Sequence, residues 1–232
     1  MTRLLLYTAT LILGLAGALW AGPRPVVVEL YTSQGCSACP AADALLAELA
    51  PRGDVIALAL HVDYWDYIGW ADLFAVPAHA DRQRAYAKAQ GRRMIYTPEM
   101  IVQGQSDIMG AKPEQLAAAI AKHRAAPQRV TLELHRENGA LRINAQGDPG
   151  LEGTFDVHLL RYSPARSVRI ERGENAGRLL KYTNVVEGWR HLAGWDGQAP
   201  LELTAQLAGD KPVVVLIQRH PAGAIVAAAR LR

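Results

Sequence analysis

Only two cysteines occur among the 232 residues, and they stand as Cys36-Ser37-Ala38-Cys39. Two thiols at this spacing can close one disulfide, and a pair that opens and closes performs thiol–disulfide exchange. So short a loop constrains too little unfolded-chain entropy to serve as a staple. The apolar run Val26-Val27-Val28-Glu29-Leu30-Tyr31 precedes the pair, and a helix-like segment follows from Ala41. That order brings Cys36 to a helix N-terminus, where free N–H groups and the macrodipole favour a thiolate. Cys39, a turn further on and next to Pro40, is the expected resolving thiol. Glu29 is a candidate to take or relay its proton, a task for a carboxylate whose pKa burial has raised. The competing reading of Glu29 is an acid on the solvent side of an edge strand.

Two further groups of residues bear on a substrate. Thr97-Pro98 stands just before the strand-like Met100-Ile101-Val102. An X-Pro bond has only a small trans preference, so a fold can hold it cis opposite a dithiol. The Thr97 backbone would then be free to pair with a bound peptide. The segment from Tyr64 to Phe74 holds Tyr64, Trp65, Tyr67, Trp70 and Phe74, five of the fifteen aromatics in the chain. Trp65 and Trp70 are the candidates for a lip that grips a peptide or apolar ligand. The same density also suits a small satellite core under a loop.

These residues need elements to position them. From Pro25 to about Ala126, strand-like runs alternate with helix-like runs at Ala41–Ala50, Ala78–Ala89 and from Pro113, as expected of a layered α/β unit. Beyond Pro127 the period drops to two, in Val130/Leu132/Leu134, Leu141/Ile143/Ala145, Phe155/Val157/Leu159 and Leu201/Leu203/Ala205/Leu207. Asn138-Gly139 between the first two runs predicts a tight hairpin. The expected organisation is therefore an export signal over residues 1–21, an α/β domain over 22–126, and an all-β, sandwich-like domain over 127–232. The signal reading rests on Arg3, the apolar stretch Leu4–Leu15 and the small residues Ala16-Gly17-Ala18, with Ala21 a second place for the cut. It implies a periplasmic or secreted protein, in a compartment where disulfides persist. A net charge of +3 with scattered basic residues gives no call for nucleic acid, and no stable membrane insertion is expected.

The strand, the Cys-x-x-Cys at a helix start and the later Thr-Pro resemble the thioredoxin superfamily. More specifically, the stretch from Glu29 to Asp43, ELYTSQGCSACPAAD, is similar to the signature of DUF1223, a family of secreted bacterial thioredoxin-like proteins. His61 to Trp70, Arg82 to Tyr86, Tyr96 to Met100, Gly173 to Arg178 and Tyr182 to Val186 extend the likeness over nearly the whole mature chain. The resemblance implies a thioredoxin-like α/β domain ahead of the β-rich half. It departs from ordinary thioredoxins in having Ser33-Gln34-Gly35 before Cys36 where a tryptophan stands, and Glu29 one residue further from the first cysteine than the buried acid. The leading function is an exported thiol–disulfide oxidoreductase with Cys36, Cys39 and Glu29 at its centre. Its partners would be protein thiols or disulfides and a redox recycling partner, and it would need no cofactor and no metal. Two other readings compete. One is copper binding or delivery by Cys36 and Cys39, with His61 as a third ligand. The other is a binding module in which the β-rich half recognises a partner.

Overall fold

A computed structural model describes residues 24–232; the expected export signal, with both of its cleavage candidates, lies outside the described residues. Val26–Thr32 (β1) is buried along its whole length. Apolar residues on both faces mark an interior strand. Helix Cys39–Leu49 (α1), with Pro40 in its first turn, carries the chain to Val55–His61 (β2), which pairs parallel with β1 from Val26↔Val55 to Thr32↔His61. A 3-10 turn at Asp66–Ile68 and helix Pro77–Ala89 (α2) lead to Glu99–Val102 (β3), antiparallel on the other side of β1. Ser106–Met109 (β4) returns across a tight turn in which Gln103 and Gly104 have φ of 54° and 70°. Pro113–Ala125 (α3) is the last helix among the described residues.

Strands follow: Val130–Glu137 (β5), Ala140–Gly147 (β6), Phe155–Arg169 (β7), Leu179–Trp195 (β8), Leu201–Gln206 (β9), Val213–Arg219 (β10) and Ile225–Leu231 (β11). The β5–β6 hairpin turns at Asn138-Gly139, with φ of 50° and 77°, as the sequence predicts.

A thioredoxin-like α/β domain followed by an all-β sandwich is not the architecture formed. The described chain is mostly strand, 43% against 19% helix. Strands from both sides of residue 127 build one mixed eight-stranded sheet in the order β11-β10-β7-β8-β2-β1-β3-β4, and β5-β6-β9 form a second, three-stranded sheet. The physical reason lies at β2. Its outer edge would leave backbone groups unpaired, which burial does not allow. β8 covers that edge, pairing parallel at Ala59↔Val185, and Asn184 Nδ2 donates to the Ala57 carbonyl at 2.8 Å.

Each face of β1 serves a different core. Val26, Val28 and Leu30 pack with Ala42 and Leu46 of α1 and Leu116 and Ile120 of α3. Val27 and Tyr31 face the other way, toward Tyr86 of α2 and Leu160, Val186 and Leu216 of β7, β8 and β10. The opposite face of β7 and β10 packs on the three-stranded sheet through Phe155, Val157, Val215, Leu141 and Ile143. The large sheet curls until its ends meet: Gln103, in the β3–β4 turn, accepts from Ile225 N at 3.0 Å and donates to Ile225 O at 2.6 Å, at the start of edge strand β11. No described helix is long and apolar enough to cross a membrane.

Asn184 combines a left-handed backbone, φ 51°, with the hydrogen bond that closes the β2 edge. Asn184→Ala strands a buried carbonyl and loses the residue type that tolerates this φ, so it should destabilise the protein by about 2–3 kcal/mol in urea unfolding. A change below about 0.5 kcal/mol would show that the junction does not depend on it.

Candidate functional site

The loop after β1 turns sharply, with Cys36 N donating to Ser33 O and Cys39 N to Cys36 O, both at 3.2 Å. Cys36 and Cys39 are joined in a disulfide with Cα atoms 5.4 Å apart. Both cysteines are buried, while Ser37 and Ala38 between them are exposed. Helix α1 begins at Cys39 itself, so Cys36 precedes the first helical turn rather than opening it.

Two remote segments clamp the residues before the disulfide. Asp72 Oδ2 accepts from Gln34 N at 2.8 Å and faces His61 Nδ1 at 2.7 Å; its Oδ1 accepts from Phe74 N at 2.8 Å. Gln34 Oε1 in turn accepts from Trp70 Nε1 at 2.8 Å. From the β7–β8 connection, Asn175 Nδ2 donates to the carbonyls of Gln34 and Cys36 at 2.9 and 3.0 Å, and Arg178 Nη1 donates to Asn175 Oδ1 at 2.7 Å. Gly35 permits this packing, since a Cβ there would lie 3.3 Å from Trp65 and Ile68.

The expected substrate-side residues do gather beside this loop. The Thr97–Pro98 peptide bond is cis. Trp65 Nε1 donates to Thr97 Oγ1 at 2.7 Å, linking the Thr-Pro segment to the tryptophan that packs at Gly35. Trp70 is fixed by Gln34 and lies against Gly173. Just past Pro98, Glu99 is buried, bonded by Gln83 Nε2 and paired with Arg92 at 2.6 Å; burial pushes its carboxyl up to about 7.

Glu29 is placed elsewhere. It sits between Val28 and Leu30, which face α1, so its side chain leaves β1 on the opposite side. There Arg82 Nε and Nη2 donate to its two oxygens at 2.7 and 3.1 Å and Tyr86 OH donates at 2.6 Å. The carboxylate is the hydrogen-bonded partner of Arg82 and Tyr86.

The acid on the dithiol side is Asp43, one helical turn after Cys39 on α1 and buried. Burial raises its carboxyl to about 7, against the pull of His61 and Thr32, with Asp72 raising it further. Thr32 hydrogen-bonds the Asp43 carboxyl, while His61 Nε2 and Tyr182 OH are buried without a hydrogen-bond partner. The His61 ring packs edge-on against Tyr182 at 4.5 Å and Phe74 at 5.3 Å. Sequence reasoning missed Asp43, Asp72 and Asn175. The first carried a signal, since Cys39, Asp43 and Leu46 recur at the spacing of one apolar helix face.

Among the described residues, no three His, Cys, Asp or Glu side chains converge as metal ligands. His61 spends Nδ1 on Asp72, and of the methionines Met100 is buried while Met94 and Met109 are exposed. A cleft of about 620 Å³ is lined by residues such as Gln103, Arg129 and Arg219 and includes none of the dithiol residues.

Residues 27–218 match the model of the family described as "Protein of unknown function (DUF1223)", and the chain belongs to that family. It is similar to a crystal structure of an Agrobacterium tumefaciens protein, with 29% identity, a TM-score of 0.76, and coverage of 89% of this chain and 93% of that one. HBP35 of Porphyromonas gingivalis shares the fold at a TM-score of 0.61 and 15% identity, over 90% of this chain and 75% of that one. No curated protein matches the chain.

Two outcomes follow from the placement of the acids. Glu29→Gln leaves the Arg82 charge buried without its counter-ion and should cost about 3–5 kcal/mol in denaturant unfolding, without moving the reduction potential of the cysteine pair. For Asp43 the folded pKa lies above the unfolded one, so its ionisation opposes folding: stability declines as pH rises from 3.8 to about 7 and levels off above. The full penalty is roughly 4 kcal/mol. Asp43→Asn should therefore stabilise the protein more at pH 8 than at pH 5, and an equal effect at both would contradict the assignment.

Proposed function

We propose that this DUF1223 protein is an exported thiol–disulfide oxidoreductase that exchanges disulfides with protein cysteines through Cys36 and Cys39. The observation that carries the reading is the joined cysteine pair at the start of α1, the only cysteines of the chain, held by backbone clamps from two distant segments. A disulfide kept merely for stability would close a longer loop, whereas a four-residue ring is suited to opening and re-forming. The exposed Ser37-Ala38 edge gives a partner thiol or thiolate its approach.

The neighbouring surface suits a polypeptide substrate. Tyr67 and Leu73 lie in the segment that clamps Gln34 and are 81% and 66% exposed; Met94, shortly before Thr97, is 75% exposed. Large apolar side chains left in water beside a reactive pair form a surface on which a chain with accessible cysteines can settle. Trp65 and Trp70, tied by their indole N–H groups, give that surface a rigid floor. A periplasmic or secreted location follows from the character of residues 1–21, and a separate redox partner would return the pair to its working state.

The exchange has defined roles. Reduced Cys36 attacks a partner disulfide as a thiolate and expels one partner sulfur as a thiolate; Cys39 then attacks Cys36 and releases the other, so the partner leaves reduced and Cys36 and Cys39 are joined. Cys39→Ser should accumulate reductant-sensitive adducts with cell-envelope proteins on non-reducing gels, while Cys36→Ser should trap few or none. Equal trapping by both variants would reverse the roles, and none by either would remove the oxidoreductase reading.

A further inference from the structure

We infer that the cleft at the seam of the curled sheet, which shares no residue with the dithiol site, binds a small organic anion: an acidic head group carried on an apolar body. This second site stands independently of the oxidoreductase reading.

The fold makes the cleft. Edge strand β11 is hydrogen-bonded to β10 alone, and the curl of the sheet brings it toward Val26 of β1 and the β3–β4 turn without pairing it to either strand. Two close approaches shut one end. Gln103 exchanges hydrogen bonds with the Ile225 backbone, and Gly104 lies so near Gly223 that a Cβ there would collide with the Gly223 carbonyl. The end of α3 and the connection into β5 add a further wall. The space left is about 620 Å³. That falls within the roughly 300–1,000 Å³ of small-molecule sites. Val26, Leu151, Ile225 and Ala227 line it and are buried, so a ligand entering the cleft meets an apolar interior.

The charges around it have one sign. Arg24, Arg124, Arg129 and Arg219 line the cleft, and among the described residues no carboxylate does. Arg124 is neutralised by an ion pair with Asp54. His123, held down first by burial and then by Lys122, stays uncharged at neutral pH and is bonded to Ser106 at 2.8 Å. Arg129 and Arg219 are different. Arg129 Nη2 donates to the Pro149 carbonyl at 3.3 Å and Arg219 Nη2 to the Glu152 carbonyl at 3.1 Å, both in the β6–β7 connection. Arg219 also stacks 5.1 Å from the centre of the Phe155 ring. These contacts fix both guanidiniums at the cleft but bring neither a counter-ion.

A planar cation with donors to spare recognises a carboxylate, sulfonate or phosphate head. One acceptor of the lining is unused as well. Gln128 Oε1 is buried without a partner, while its Nε2 donates to the Val130 carbonyl. An N–H or O–H on the ligand body would satisfy it. The three features together select an anion with an apolar body over a bare inorganic ion.

The probe is 8-anilinonaphthalene-1-sulfonate, which carries a sulfonate, an aromatic body and one amine N–H, and whose fluorescence reports its binding to the purified protein. Wild type should bind it at a saturable site, and should bind N-phenyl-1-naphthylamine, which lacks only the sulfonate, about tenfold more weakly. Arg129→Ser should weaken sulfonate binding by about tenfold and leave the neutral compound unaffected. Arg219→Ser should act in the same direction, and Arg129→Ser carries the test if loss of Arg219 disturbs the fold. Dodecanoate should displace the probe, whereas inorganic phosphate at the same concentration should not. Leu73→Ser, which alters the apolar surface beside the dithiol, should leave the sulfonate's affinity unchanged. Equal affinity for the charged and neutral compounds, unchanged binding in folded Arg129→Ser, equal displacement by phosphate, loss of the site in Leu73→Ser, or no saturable binding would each overturn the inference. None of these readouts involves cysteine exchange, so none of them bears on the oxidoreductase reading.

Discussion

One buried guanidinium, that of Arg82, is the constraint on which the arrangement of the sheet depends. It donates to both oxygens of Glu29 on β1 and to Gln218 Oε1 on β10 at 2.9 Å, and it stacks 4.0 Å from the centre of the Trp189 ring on β8. Tyr86 OH bonds to Glu29, and Gln218 Nε2 reaches the same hydroxyl. Desolvating such a cation is expensive unless donors and counter-charge are fully matched. Here each partner comes from a different part of the chain. Strands β1 and β10 are four places apart in the sheet, and both must approach α2 to satisfy one side chain. That requirement favours the curled sheet over flatter alternatives that would bury the same apolar residues.

The site inherits its order from this anchor. Fixing α2 fixes where its N-terminal connection runs, and that connection carries Asp72, Trp70 and Trp65 to the strand-to-helix loop of the cysteines. Asp72 then acts on two groups at once, capping Gln34 N and orienting the His61 ring. Asn175 closes the loop from the opposite chain direction. The β-rich half is thus structurally part of the dithiol loop, through the Gly173–Arg178 connection.

Much of the element list was legible in the sequence, because short runs report their own period. β1, α1, β2, α2, β3 and the Asn138-Gly139 hairpin fall close to where apolar spacing and turn residues place them. What the pattern does not carry is which distant strands pair. Val213 to Ile217 is an unbroken apolar run, the mark of a strand covered on both faces, and β10 is such an interior strand of the large sheet. Glu29 was misplaced for a related reason. Val27, Val28, Leu30 and Tyr31 are all apolar, so alternation could not say which face of β1 looks toward α1. Asp43 was hidden among the alanines and leucines of α1, where an acid on the apolar face reads as an interruption.

The electrostatics of the dithiol show why such an interruption is tolerable. With the cysteines joined, no sulfur carries charge, and burial holds the Asp43 carboxyl up at about 7 against the pull of His61. Opening the bond creates a thiolate near the helix start, where the macrodipole offsets at most about 1–2 kcal/mol. A second negative charge one turn away, about 6 Å by helix geometry, would oppose it by roughly 3 kcal/mol at an effective dielectric of 20. Repulsion outweighs the dipole, so a thiolate at Cys39 and an ionised Asp43 disfavour one another. An amide in place of the carboxyl would remove that repulsion and, because burial disfavours the ionised acid, would fold more readily at high pH.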